Sequence, residues 1–147
     1  MAIEFDVPTP IFPVRDLEIS TDYYVRVLGF EIQFHEPGII TCVGRGRCVL
    51  FLIEGDQGTP PSYLYAAVSD VDALLEEISA RGATILHPPT NYAWGYEMHV
   101  SDPDGNVLRC ASDRKSGVPD GEWRDMRGIL WTPLGGGRWK QSGTSGT

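Results

Sequence analysis

The sequence predicts an α+β fold made of two copies of a β-α-β-β-β module. A helical segment bracketed by aspartate and glycine occurs twice, from Asp16 to Gly29 and from Asp70 to Gly82. Each copy follows one strand-like run and precedes three more, with Pro- and Gly-containing turns between them. Because the same order of elements recurs at nearly the same spacing, the sequence indicates two copies of one supersecondary unit.

The first module starts with a strand-like run at about 9–14. Asp16 is of the type that caps a helix by accepting from exposed backbone N–H groups, and Gly29 suits the left-handed residue that ends one. Three strand-like runs follow this helix, at about 30–35, 39–44 and 47–53. The last of them, CVLFLI, is apolar on both faces, as in a strand that is covered on each side.

The second module repeats this order, with a strand-like run at about 63–68 before its helix. Apolar residues recur in that helix at the spacing of one buried stripe, namely Val71, Leu74, Leu75 and Ile78. Three more strand-like runs follow, at about 83–87, 95–101 and 106–111. In the middle run Glu97 and His99 alternate with Met98 and Val100, so one face packs under a helix and the other can carry chemistry.

Length and charge narrow the function classes. At 147 residues and 41% hydrophobic, the chain has the size and apolar content of one domain. Its formal charge of −8 opposes nucleic-acid binding and favours a cationic small molecule, although solubility alone explains such a charge. The sequence has no apolar run of about 18 residues and no signal peptide, so we expect a cytoplasmic protein without a membrane partner.

The cysteines and histidines form no local metal or catalytic motif. Cys42, Cys48 and Cys110 are odd in number and lack C-x-x-C spacing, which predicts buried free thiols. No two of the three histidines are four residues apart. Alternation places His99 beside Glu97, where the two could act as a general base or bind a cation; a hydrogen-bonded pair without chemistry is the alternative.

Three motifs resemble the vicinal oxygen chelate superfamily, which includes glyoxalase I, extradiol dioxygenases and bleomycin resistance proteins. They are the stretch from PVRDL through YY to LGF, the repeated helix-plus-glycine unit, and WGYEMHVSDPDGN. Within the superfamily the chain is most similar to the bleomycin resistance proteins. The resemblance implies a domain over 1–112, whose modules at about 8–54 and 62–112 form a curved mixed sheet around a cavity, usually in a homodimer.

Metal-dependent members of the superfamily take one metal ligand from the first and one from the last strand of each module. The resemblance carries these four positions onto Thr9, Phe51, Tyr63 and Arg109. None of them is His, Glu, Asp or Cys, and the permanently protonated guanidinium of Arg109 would oppose a cation. We therefore expect no metal and no other cofactor.

Aromatic residues gather at these positions instead. Phe51 and Tyr63 replace metal ligands, Tyr65 shares the face of Tyr63, and Trp94 lies at the mouth of the last hairpin. Such rings can stack a heteroaromatic ligand, or they can simply fill the vacated metal cavity. Glu97 could attract a cationic tail, and Arg109 and His99 could donate hydrogen bonds. The predicted ligand-binding residues are thus Phe51, Tyr63, Tyr65, Trp94, Glu97, His99 and Arg109.

These features favour a metal-free binding protein that sequesters a cationic heteroaromatic ligand, such as a bleomycin-like glycopeptide, in the groove of a homodimer. The alternative is a lyase, isomerase or dioxygenase of the superfamily with an atypical site, or a metal-free enzyme that uses Glu97 and His99. A structural or regulatory protein with an empty cavity is a third possibility. Binding is favoured over catalysis because all four metal-ligand positions are replaced.

Residues 113–147 extend beyond the superfamily frame. Trp123, Trp131 and Trp139 recur at intervals of eight within this extension, amid Gly, Pro and charged residues. Since exposed tryptophans are unfavourable, we expect 120–140 to pack on the domain or on its dimer mate rather than to contact ligand. The final KQSGTSGT has the composition of a disordered end.

Overall fold

The computed structural model describes residues 2–55, 58–125, 127–136 and 138–144, which form three sheets and two α-helices. The first module consists of β1 (Ile11–Val14), α1 (Leu17–Asp22), β2 (Glu31–Glu36), β3 (Ile40–Arg45) and β4 (Cys48–Glu54). The second consists of β5 (Tyr63–Ala67), α2 (Val71–Ser79), β6 (Thr84–Tyr92), β7 (Gly95–Ser101) and β8 (Val107–Ser112). The extension forms β9 (Trp123–Arg124), β10 (Ile129–Gly135) and β11 (Arg138–Thr144).

The two modules share one topology. The first sheet has the strand order β1-β4-β3-β2 and the second β5-β8-β7-β6. In each sheet the first strand pairs in parallel with the last, and the other pairs are antiparallel. Each helix crosses over between the first and second strands of its module, as a parallel connection requires. The predicted α+β fold with two β-α-β-β-β modules is therefore confirmed.

Both helices begin and end as the sequence predicts. The side chains of Asp16 and Asp70 accept hydrogen bonds of 3.0 Å from the backbone N–H groups of Ile19 and Ala73. Gly29 and Gly82 follow the helices with φ of +74° and +90°, a region that glycine adopts without steric cost.

The first helix is less regular than its sequence pattern predicts. Only Leu17–Asp22 is α-helical, and Tyr23–Val27 continues as a π-helical turn. Both tyrosines in this turn reach the second module: Tyr23 donates to the carbonyl of Ser101 over 2.7 Å, and Tyr24 donates to the carboxylate of Asp102 over 3.1 Å. The π-helical turn thus allows Tyr23 and Tyr24 to bond to two adjacent residues of the second module, Ser101 and Asp102.

One hydrophobic core spans both modules. The apolar stripe of α2 packs into it as predicted, with Val71 and Ile78 fully buried. Met98 and Val100, the core-facing residues of β7, are also fully buried, each contributing about 1.5–3 kcal/mol by burial. Side chains of the first module complete the core, including Phe12, Leu17, Tyr24, Leu50 and Leu52.

The DPDGN turn joins the modules. Asn106 is fully buried; its amide donates to the carbonyl of Pro13 over 2.9 Å and accepts from the N–H of Ser62 over 2.9 Å. Asp104 accepts from the backbone N–H of Arg15 over 3.0 Å. Burial raises the pKa of Asp102, although hydrogen bonds from Asn106 and the turn backbone oppose the rise. The role of this motif in the described chain is thus to fasten one module to the other.

The extension differs from its sequence-based expectation. The segment with little regular pattern forms a three-stranded antiparallel sheet with the order β11-β10-β9, in which Trp131 pairs with Trp123. Residues 140–144, whose composition predicts disorder, belong to β11; residues 145–147 lie outside the described residues. Cross-strand pairing supplies the order that local composition does not indicate. No helix in the described part of the chain has the length and apolarity needed to cross a membrane.

Candidate functional site

The face of the second sheet that points away from α2 carries the candidate residues; we call it the site face. Strand register places Tyr65, Arg109, His99 and His87 in one row across β5, β8, β7 and β6. Glu97 is two residues from His99 on β7 and shares its face. The alternation predicted for β7 therefore brings these side chains together on the face opposite the core.

A buried carboxylate, that of Glu97, is the centre of the site. Its side chain is 0% exposed. Arg109 donates to it from Nε over 3.0 Å and from Nη2 over 2.9 Å and 3.2 Å, and Trp94 donates from Nε1 over 3.1 Å. His99 Nε2 lies 2.6 Å from Oε2. Burial alone would raise the pKa of Glu97, but the hydrogen bonds from His99, Trp94 and Arg109, with the charge of Arg109, lower it.

Glu97 is therefore an ionised carboxylate that only accepts hydrogen bonds, and His99 donates to it from Nε2. Its oxygens are occupied by three side chains, so a ligand meets those side chains before it meets Glu97. The carboxylate fixes the orientations of Arg109, His99 and Trp94, and it has no proton to exchange near neutral pH.

Arg109 is held between aromatic rings as well as by Glu97. Its guanidinium carbon lies 5.9 Å from the ring centroid of Tyr65 and 5.1 Å from that of Trp123, within the range of a cation–π interaction. The side chain is 28% exposed. Glu97 uses Nε and Nη2, and no hydrogen bond among the described residues uses Nη1. Arg109 is thus a fixed donor at the edge of the site.

Three aromatic rings surround Trp94 and form a cluster with it. Trp94 stacks on Tyr92 with a centroid distance of 4.8 Å and on Trp139 with 6.0 Å. The ring of Trp123 meets both Trp94 and Tyr92 edge-on, each at 5.5 Å. Since the indole N–H of Trp94 is bonded to Glu97, this cluster and the polar centre form one unit. We call Tyr92, Trp94, Trp123 and Trp139 the aromatic cluster.

A second histidine links the polar centre to the aromatic cluster. His87 Nε2 forms a short hydrogen bond with the hydroxyl of Tyr92, and its ring centroid is 5.2 Å from that of His99. Burial, followed by the nearby charge of His99, lowers the pKa of His87, although Glu97 opposes the shift. His87 is therefore neutral at physiological pH, when its ring can accept from Tyr92.

A groove of about 440 Å³ opens beside Trp94. Its aromatic walls are Tyr65 and Trp94, whose side chains are 54% and 45% exposed. Asp70, Asp113 and Lys115 supply charge along it. Volumes of about 300–1,000 Å³ are typical of small-molecule sites. The groove thus combines stacking surface with carboxylates that can meet a cation.

A larger cavity of about 600 Å³ lies on the other face of the second sheet, between the modules. Core-facing residues such as Leu74, Leu108 and Cys110 line it. At its edge Arg45 donates to both carboxylate oxygens of Glu77, over 2.7 Å and 3.0 Å, and these bonds lower the pKa of Glu77. This pairing offsets the charges of Arg45 and Glu77, and much of the remaining lining is apolar.

The remaining predicted residues lie apart from this centre. Tyr63 precedes Tyr65 by two residues on β5 and is 58% exposed. Phe51 lies on β4 of the first sheet, where its ring packs on Phe34 at 5.8 Å, and Thr9 comes just before β1. The structure therefore brings together five predicted site residues, Tyr65, Trp94, Glu97, His99 and Arg109, and leaves Phe51 in the first sheet and Thr9 just before that sheet begins.

The side chains at Thr9, Phe51, Tyr63 and Arg109, the four positions predicted from the resemblance, do not fit a metal. Phe51 has no donor atom, Thr9 and Tyr63 offer only hydroxyls, and the cationic Arg109 is bonded to the only carboxylate nearby on its strand pair. Among the described residues, no group of three or more His, Cys, Asp or Glu side chains converges closely enough to hold a metal ion.

Sequence reasoning did not assign Tyr92, His87, Trp123 or Trp139 to the site. The spacing of Tyr92 and Trp94 at i, i+2 is a usable signal, since it places both on one face of an extended segment. The contacts of Trp123 and Trp139 depend on how the extension folds back, for which the local sequence carries no signal.

Comparison with known proteins assigns the family. The sequence profile of the Glyoxalase/Bleomycin resistance protein/Dioxygenase superfamily matches residues 7–109. The chain therefore belongs to this superfamily, as its motifs predict. Among curated protein sequences, none is similar enough to count as a match.

Solved structures support the same fold. A bleomycin-binding protein from Streptomyces verticillus, complexed with copper(II)-bleomycin, has 24% identity and a TM-score of 0.65, covering 77% of this chain and 100% of that one. TnmS3, an antibiotic binding protein from Streptomyces sp. CB03234, has 29% identity and a TM-score of 0.60, covering 77% and 98%. A glyoxalase/bleomycin resistance protein/dioxygenase from Nocardioides has 19% identity and a TM-score of 0.62, covering 82% and 91%.

Proposed function

We propose that the protein binds a cationic heteroaromatic small molecule on the site face and sequesters it without chemical change. One observation carries this proposal: Arg109 is fixed on the buried Glu97, while the exposed rings of Tyr65 and Trp94 wall an open groove. The site is thus built for stacking and hydrogen bonding, and its only buried carboxylate is already neutralised.

The chemistry of the groove favours a ligand that is flat and positively charged. Tyr65 and Trp94 supply stacking surface, worth about 0.5–1.5 kcal/mol for each good pair beyond burial. Arg109, whose guanidinium carbon lies 5.9 Å from the ring centroid of Tyr65, supplies a hydrogen-bond donor next to the groove. Because Glu97 is paired with Arg109, attraction of a cation falls to Asp113, to Asp70 and to the net charge of −8.

The relatives suggest which molecules to test first. TnmS3, at 29% identity, is described as an antibiotic binding protein. A bleomycin-like glycopeptide, which is basic and carries flat heteroaromatic rings, fits the same requirements. We propose it as the first probe of the ligand class rather than as the physiological ligand.

We further propose that the protein is a homodimer in which a first module from one copy faces the site face of the other. Apolar side chains on the outer face of the first sheet support this arrangement: Ile11 and Phe34 are 44% and 47% exposed, and strand register places both on the same face as Phe51. Burying them against a partner would bring Phe51 and Tyr63 to the groove. Light scattering coupled to size-exclusion chromatography tests it, and a monomer at all concentrations would contradict it.

The enzyme alternative receives less support. A general base must accept a proton from the substrate, whereas Glu97 is inaccessible and its pKa is lowered. The 2.6 Å contact between His99 and Glu97 is accounted for by the need to satisfy a buried carboxylate. Detectable turnover of any compound that binds the groove would favour this alternative.

Isothermal titration with metal-free and with copper-loaded bleomycin, at low and moderate salt, tests sequestration. We expect saturable binding near one drug per protomer that weakens as salt screens the acidic surface. Trp94→Ala and Tyr65→Ala should each weaken binding about 2- to 12-fold, the loss of one stacking pair. Ile39→Ala, an exposed apolar residue of the first module, is the control that should leave binding unchanged.

A folded protein that binds neither form of the drug would remove this ligand. Equal affinities for the wild type, Trp94→Ala and Tyr65→Ala would remove the groove as its binding site.

A further inference from the structure

The C-terminal extension contributes to the site, although it lies outside the superfamily match at 7–109. Asn91, a buried residue of the second module, holds the start of the extension in place. The side-chain amide of Asn91 donates to the carbonyls of Lys115 and Val118 over 2.8 Å and 2.9 Å and accepts from the N–H of Lys115 over 2.9 Å. This attachment directs the extension back over the aromatic side of the site face, where Trp123 and Trp139 meet Trp94.

Within the aromatic cluster, Trp94 is a fixed platform. One contact is a close stack on Tyr92, at 4.8 Å and with an interplanar angle of 13°. The indole N–H is bonded to Glu97, and the edge contact with Trp123 adds a third restraint. These contacts fix the position and orientation of the Trp94 ring and bind one of its edges. Trp94 can therefore present a stacking surface to a ligand with little further loss of side-chain entropy.

Trp139 is held more loosely. Its stack on Trp94 has a centroid distance of 6.0 Å and an interplanar angle of 28°, so the two rings are splayed relative to the Tyr92 stack. It lies on β11, the edge strand of the three-stranded sheet, and is partly exposed. An edge strand bonded on one side can shift further than a strand bonded on both sides.

We propose that Trp94 and Trp139 form a stacking subsite in which a planar heteroaromatic ring of the ligand is held between the two indoles. Trp94 is the fixed side and Trp139 the side that moves. Two van der Waals contacts of about 3.5–4.0 Å require roughly 7–8 Å between the indole planes, which is more than the 6.0 Å between the ring centroids, so β11 has to move outward by at least about 1 Å. This inference rests on the proposed function and adds the extension to the binding site.

The position of the subsite also sets where the rest of the ligand goes. Trp94 is a wall of the groove that contains Asp70 and Asp113. A ring held between Trp94 and Trp139 therefore leaves a cationic substituent free to extend along the groove toward these carboxylates. The predicted ligand is a flat ring system with a flexible basic tail, and a basic tail alone should bind poorly.

Three substitutions on the hairpin test the subsite. We expect Trp139→Ala to weaken binding of copper-loaded bleomycin about 2- to 12-fold, and Trp139→Phe to restore most of the affinity because it keeps a ring. Leu134→Ala removes an exposed apolar side chain from the same hairpin and should not change affinity. Circular dichroism melts of all three variants show whether the fold is kept. Spermine, a basic tail without a ring, should bind weakly and equally to every variant.

Thioflavin T, a planar cationic dye, separates failure of the subsite from failure of the proposed ligand. If the wild type binds the dye but not bleomycin, and Trp139→Ala weakens dye binding, the subsite stands and the bleomycin-like ligand falls. If the wild type binds a probe and Trp139→Ala binds that probe as tightly as the wild type, or more tightly, the subsite is wrong. Absence of dye binding to the wild type would also overturn it, since an accessible slot must accept a flat cation.

Discussion

Replacing Arg109 by methionine removes the cation that compensates a buried carboxylate. Glu97 is 0% exposed and takes three hydrogen bonds from Arg109, whereas methionine keeps much of the side-chain volume and none of the charge. His99 and Trp94 remain as hydrogen-bond donors to Glu97. The substitution therefore tests whether the pair of Arg109 and Glu97 is a structural unit of the site.

The expected cost follows from the burial of Glu97. Removing one partner of a buried ion pair leaves an uncompensated charge and typically destabilises a protein by about 3–5 kcal/mol. That is a large part of a total stability of about 5–15 kcal/mol. Arg26 is the matched control, because it forms an ion pair with Asp22 in which the two side chains are 77% and 59% exposed. Arg26→Met should lower the free energy of unfolding by about 0.3–0.5 kcal/mol.

A double variant separates the charge from the packing. Glu97→Gln in the Arg109→Met background removes the uncompensated charge while keeping an acceptor for Trp94, so most of the lost stability should return.

Acidification gives a second check of the charge effect. Loss of the hydrogen bonds and charge of Arg109 raises the folded-state pKa of Glu97 relative to that of the wild type, so the destabilisation caused by Arg109→Met should shrink as the pH falls. The wild-type pKa is lowered, so the wild type loses this contribution only as the pH falls below about 4.

Urea unfolding at pH 7 and pH 5, followed by circular dichroism, measures these free energies. A cost of Arg109→Met no larger than that of Arg26→Met would refute the reasoning. So would a double variant as unstable as the single one.

Three further predictions concern the surroundings of the site. Because the folded-state pKa of His87 is lowered, the unfolded chain takes up a proton on His87 at a higher pH than the folded chain, and the free energy of unfolding should fall as the pH drops from about 6.5. His87→Gln should flatten this pH dependence in urea titrations. An unchanged pH dependence would contradict the prediction. Burial raises the pKa of the Cys110 thiol to about 12, so Ellman's reagent at pH 8 should modify Cys110 only after unfolding. The prediction would be wrong if the reagent labels the folded wild type and Cys110→Ser abolishes that labelling. Asn91→Ala strips partners from the extension and should cost about 1–3 kcal/mol, with faster amide exchange around Lys115; unaltered exchange there would show that Asn91 is not the anchor.

The repeated module could be predicted because its signals are local. The caps at Asp16 and Asp70 bond to N–H groups three residues away, and the apolar stripe of α2 follows from its own periodicity. The alternation along β7 likewise places Met98 in the core and Glu97 on the opposite face. Each of these features requires only neighbours in sequence.

The extension could not be predicted for the opposite reason. Its strands are stabilised by pairing with one another, as between Trp123 and Trp131, and by the attachment of residues 115–121 to Asn91. Glycines and charges within it predict irregular structure when the segment is considered alone. Long-range pairing outweighs these weak local preferences.

The residue types of the site were determined by the sequence alone: a carboxylate and an imidazole on one strand face, an arginine on the next strand, and a nearby tryptophan. Only the tertiary structure decided what they do together. Glu97 has its charge neutralised because Arg109, His99 and Trp94 converge on it from β8, β7 and the β6–β7 turn. Such convergence depends on strand register and chain return, which fix distances between residues that no local pattern relates.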